Sequence, residues 1–160
     1  MTETTPTQTP QIIKPNWTKI AELQVSAQPS DGGIWQCACQ YVQGPALLKI
    51  EAGGEWSYST ALTKGCSPNG DLGSALEPKN CVHEKSPVGA LIGRIGGGIS
   101  DKDATSVFSV GTLCIRKLTT EVGPLFLAIN DMWNGFGDNN GSLTVTVSLA
   151  EDVVKRTTVA

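Results

Sequence analysis

Between residues 142 and 149 the chain reads SLTVTVSL, with apolar and polar side chains in strict alternation. Successive side chains of a β-strand point to opposite faces. The pattern therefore turns Leu143, Val145, Val147 and Leu149 inward and Thr144, Thr146 and Ser148 outward. An antiparallel sheet covered on one side carries this signature. No segment shows apolar residues at a helical period of about 3.6, so an all-β fold is predicted. Further strands are predicted at 20–27 (IAELQVSA), 34–42 (IWQCACQYV), 46–53 (ALLKIEAG), 55–60 (EWSYST), 88–96 (VGALIGRIG), 106–110 (SVFSV), 113–118 (LCIRKL) and 124–130 (PLFLAIN). In the second of these, strict alternation puts Trp35, Cys37, Cys39 and Tyr41 on one face. Residues 61–87 are irregular, with SPNGD and EPKN as turn chemistry. Short strands separated by turn signals describe a β-sandwich.

Length and composition narrow the rest. One domain is the default for 160 residues. Its charged fraction of 17 % is low and its 18 glycines suit many turns. A net charge of −3 gives no basic face for nucleic acid. No apolar stretch has the length of a membrane span. Residues 1–15 (MTETTPTQTPQIIKP) read as a flexible tail, and 16–160 as the sandwich. That start lacks the basic and apolar regions of a signal peptide, so the chain is expected to be cytoplasmic or exported without one. The glycosylation patterns at Asn16 and Asn140 are then chance matches. The five cysteines cannot all pair within one chain. Cys66 and Cys81 flank a loop and can bridge, but small apolar or free thiols are the main reading. A single histidine speaks against structural zinc.

One connection is out of proportion to its task. NDMWNGFGDNNGS joins the last two strands over residues 130–142, where a hairpin needs only about two to five residues. Asp131 and Asp138 bring carboxylates; Asn134, Asn139 and Asn140 bring amide oxygens. Gly135, Gly137 and Gly141 allow the backbone to turn its carbonyls inward through positive φ. Calcium takes six to eight such oxygens. The spacing is not that of an EF-hand, because Ser142 stands where that loop requires Glu. The plainer reading is a polar loop whose Asn and Asp serve turns.

This frame, IND…GDNNGSLTVTV, resembles the LecA (PA-IL)-like calcium-dependent galactose-binding lectins, whose strand ends in Asn-Asp before a loop closing on Gly-Asn-Asn-x-Gly-Ser. GALIGRIG is similar to the family's GALVMKIG, AGGEWSYS to its AGWASYG, and NWTKIAELQVSA to its start. The resemblance spans roughly residues 16–149 and is strongest in the loop. It implies a jelly-roll-like, galactose-binding-domain-like sandwich that binds galactose-type glycans through Ca²⁺. It implies calcium ligation by the backbone carbonyls of Tyr58 and Gly135 and the side chains of Asp131, Asp138 and Asn139. Two vicinal sugar hydroxyls would complete the shell, with Tyr58, Asp131, Met132 and Asp138 around them. Asp138 replaces the family's Asn and adds a negative charge. The family's HPDQ segment, whose His and Gln hold the sugar's 6-OH, is EPKN here, leaving Glu77 and Asn80 as weaker candidates beside an inserted loop. A homo-oligomer is also implied.

Other residues carry less. Trp56 and Trp133 lie in the candidate site stretches, where an aromatic face can stack on a sugar; Trp133 is the better of the two. Trp17 and Trp35 read as core, and His83 as a surface-loop histidine. GRIGGG lacks the lysine and hydroxyl of a P-loop. No nucleophile elbow is present, and Asp131 with Asp138 suits a cation better than glycoside hydrolysis, so no enzymatic activity is expected. The alternative is a calcium-stapled structural or interaction module with no sugar ligand.

Overall fold

The computed structural model describes residues 14–29, 33–62, 64–74, 76–97 and 106–152. Eight strands follow in order: β1 (Thr18–Ser26), β2 (Gln36–Gln43), β3 (Ala46–Ser57), β4 (Leu91–Ile95), β5 (Val107–Ser109), β6 (Leu113–Leu118), β7 (Val122–Ile129) and β8 (Asn140–Ala150). They form two four-stranded sheets, β1-β8-β3-β6 and β2-β7-β4-β5. All pairings are antiparallel. The chain crosses repeatedly between the sheets, and this strand order is that of a jelly roll. The predicted all-β, jelly-roll-like sandwich is therefore the observed fold.

β8 behaves as its alternation requires. Leu143, Val145 and Val147 are fully buried between the sheets, facing Leu125 and Leu127 of the same core cluster. Near its end the pattern relaxes: Ser148 is buried and Leu149 half-buried. β3 is longer than the sequence implies. Gly53 and Gly54 read as a break between two strands, yet β8 pairs with β3 continuously from Leu47↔Ala150 to Ser57↔Asn140. β2 departs the other way. Its register against β7 shifts between Cys37 and Cys39 and again before Val42. These irregularities turn Trp35, Ala38 and Val42 into the core and leave Cys37 and Tyr41 exposed. The single-face reading of Trp35, Cys37, Cys39 and Tyr41 is thereby corrected, since a bulge interrupts alternation.

The tryptophans divide differently from expectation. Trp35 is core, with the Arg94 guanidinium 4.8 Å over its ring. Trp17 is not; it lies half-buried on the outer face under the Lys49 ammonium, 4.6 Å away. Trp56 is core and no stacking platform, since its Nε1 donates to the Gly89 carbonyl at 2.6 Å. All five cysteines are free, and Cys66 and Cys81 do not bridge. Each is fixed elsewhere, Cys66 opposite Trp56 and Cys81 opposite Met132. Most of the predicted tail, residues 1–13, lies outside the described residues. Among the described residues no helix is long and apolar enough to cross a membrane.

Candidate functional site

At one end of the sandwich three segments meet. The β7–β8 loop leaves the core, the end of β3 pairs with the start of β8 at Ser57↔Asn140, and Cys81 pairs with Met132. The loop is anchored from below. Gly135 N–H donates to the Met132 carbonyl at 2.9 Å, and residues Phe136–Asp138 form a 3₁₀ turn whose Phe136 is buried. Phe136 had no sequence signal beyond being the loop's large apolar residue. Of the three loop glycines, Gly141 alone takes positive φ, at 88°, where it lies against the Trp56 backbone. Gly135 lies against the Asp131 carboxylate: a Cβ there would stand 3.1 Å from it, so a larger residue would need that carboxylate to shift.

Asp131 sits beneath this turn, 2 % exposed. Its Oδ1 accepts the Met132 N–H at 2.7 Å. Its Oδ2 is buried and receives no hydrogen bond among the described residues. Asn139 faces the same interior. Its Nδ2 donates to the Ala27 carbonyl at 3.1 Å, which fixes the amide's orientation. The opposite atom, Oδ1, is likewise buried and receives no donor among the described residues. A buried polar atom left without a partner costs about 1–3 kcal/mol. These two buried acceptors, Asp131 Oδ2 and Asn139 Oδ1, form a place for positive charge, although the Asn139 amide lies close enough to the Asp131 carboxyl to lower its pKa. Burial pushes the Asp131 carboxyl up to about 6, the Met132 N–H opposes the shift, and the charge of Asp138 adds to it.

The predicted site residues sort as follows. Asp131, Gly135 and Asn139 are brought together around the loop's interior, and Asp138 lies exposed on its rim. Tyr58 follows directly on the β3–β8 pairing, which ends at Ser57↔Asn140. Its side chain points into the core, and its hydroxyl donates to Asp71 (2.7 Å) and meets Ser74 Oγ (2.8 Å). Met132 is held in the bridge to Cys81. Glu77 and Asn80 reach the loop only through the backbone that follows them, where Val82 N–H donates to the Asp131 carbonyl at 2.9 Å. The Glu77 carboxylate pairs instead with Lys79 at 2.8 Å on the surface.

Sequence reasoning missed Asn130. It is fully buried and clasps the neighbouring turn. Its Oδ1 accepts the His83 N–H at 2.9 Å, and its Nδ2 donates to the carbonyls of His83, Ser86 and Pro87 at 2.9, 2.9 and 3.1 Å. The available signal was its position, one polar residue at the end of the apolar run LFLAI.

Among the described residues no three His, Cys, Asp or Glu side chains converge. The donors here are two carboxylates, one amide and backbone carbonyls, a set suited to a hard cation.

Fold and loop together define an eight-stranded jelly-roll sandwich with an acidic, amide-lined loop at one end of its sheets. Among solved structures the chain is similar to one described as the EclA N-terminal domain, a PllA-like lectin, with TM-score 0.57 and 19 % identity over 82 % of this chain and 97 % of that one. That likeness establishes the fold. No protein-family model matches the sequence, and no curated protein matches it.

Proposed function

We propose that this chain is a calcium-dependent carbohydrate-binding lectin for galactose-type glycans, without enzymatic activity. The observation that carries the reading is the pair of buried, donor-less oxygens, Asp131 Oδ2 and Asn139 Oδ1. A calcium ion there would supply the charge those oxygens lack and could accept two vicinal sugar hydroxyls as further ligands. The side chains of Asp131, Asn139 and Asp138 and the carbonyls of Gly135 and Tyr58 would hold the ion. The carboxylates of Asp131 and Asp138 also accept hydrogen bonds from those hydroxyls, with the Met132 backbone beside them. The structural neighbour is a PllA-like lectin, which supports the reading, as does the LecA-like frame of the loop. Where the family's histidine and glutamine hold the 6-OH, Glu77 and Asn80 offer no equivalent pair. Tolerance at the 6-position follows.

A glycan array read with calcium and with chelator tests the proposal. Galactosides should be retained with calcium and lost with chelator. One observation favours a second reading: Asp131 and Asn139 are only 2 and 3 % exposed, so protein can close the site as a structural staple. A blank array from a chain that calcium stabilises would select that reading.

A further inference from the structure

Beside the loop lies a cleft of about 430 Å³ lined by Trp133, Val107, His83, Glu84 and Lys85. It shares its backbone with the candidate site. Cys81 pairs with Met132, and Val82 N–H donates to the Asp131 carbonyl, so residues 81–85 continue directly from the loop's own edge. We infer that this cleft is a second subsite, which takes the neutral sugar unit glycosidically linked to the calcium-held one. The inference rests on the proposed lectin function and extends its ligand from a monosaccharide to an oligosaccharide.

Three features support it. The cleft wall is held rigid before any ligand arrives: Asn130 bonds the backbone of His83, Ser86 and Pro87, and the His83 ring Nδ1 meets Ser86 Oγ at 2.7 Å. Such preorganisation lowers the ordering cost of binding. The same bond leaves His83 Nε2 for a ligand hydroxyl, and burial lowers the ring's pKa, keeping it neutral and able to donate or accept. Trp133 is half-buried, packs against the core and lines the cleft. An aromatic surface of this kind suits the C–H face of a pyranose. Glu84 and Lys85 oppose each other in charge, so the walls favour a hydroxyl-rich neutral unit over an anionic one.

Titration calorimetry at saturating calcium decides the matter, with methyl α- and β-galactoside compared against galactosyl disaccharides of 1→3, 1→4 and 1→6 linkage. At least one disaccharide should bind roughly threefold to tenfold tighter than its methyl glycoside, and Trp133→Ala should bring that ratio close to one. Retention of the calcium-induced rise in melting temperature shows that the variant is folded; should it be lost, His83→Ala serves in its place. Equal affinities for all ligands, or a gain that survives both substitutions, overturns the subsite while leaving the lectin reading intact. Failure of methyl galactoside itself to bind removes the lectin reading, and the subsite with it.

Discussion

Asp131 is where the account is most exposed to test. Its carboxyl is raised from 3.8 to about 6, mainly by burial. The folded chain therefore binds this proton more readily than the unfolded chain. Without metal, the resulting stabilisation is fully present below about pH 4 and is lost as pH rises through about 6. Calcium needs the ionised carboxylate, so its contribution runs in the opposite direction and grows across the same window. In chelator, the melting temperature should fall from pH 4.5 towards about 6.5, and added calcium should reverse that fall near neutrality. Scanning calorimetry across the series checks both; a calcium response equally large at the two ends contradicts the assignment. Asp131→Ala should abolish the calcium-induced rise, and an unchanged response in that variant removes Asp131 from the site. The residues of this loop were legible because their composition exceeded what a hairpin needs. Trp56 was misread for a related reason. It stands in a polar stretch that resembles a site, but the alternation of β3 carries its ring into the core.

Among the elements, strand existence was written in the alternation of apolar residues, while strand continuity was not. Gly53 and Gly54 looked like a boundary, and only the long partner β8 shows that the ladder runs through them. The bulges of β2 were equally hidden, since residues 34–42 read as regular until β7 sets their register. Asn130 illustrates the same limit at the site. Its role depends on the approach of residues 83–87, more than forty positions away in sequence, as the separations of its bonds show. Removing its side chain takes the partner from the His83 N–H and the Ser86 carbonyl, while the His83 and Pro87 carbonyls keep the N–H groups of Ser86 and Ala90. Asn130→Ala should cost about 2–4 kcal/mol of stability, as expected for two buried polar groups left unsatisfied. Urea unfolding provides the measurement, and a loss under about 0.5 kcal/mol would show that the clasp contributes little.

For the whole molecule, the jelly roll places one candidate site at one end of one chain. Single sugar sites bind weakly, and multivalency raises avidity without any new contact. A homo-oligomer, dimer or larger, is therefore predicted. Light scattering over a wide concentration range checks it, and a monomer mass throughout refutes it. The exposed Leu113 and Ile115 on β6, an edge strand of its sheet, give apolar surface to such an assembly. The central claim, that sugar hydroxyls complete a calcium shell built on Asp131 and Asn139, is reached most directly by titrating galactose, 6-deoxygalactose and glucose into the calcium-loaded and the chelated protein. Galactose should bind with calcium and not with chelator; the 6-deoxy analogue should bind nearly as well, as the proposed tolerance at the 6-position requires; and glucose, whose 4-OH is equatorial, should bind far more weakly. Calcium binding without any galactose binding would contradict the claim.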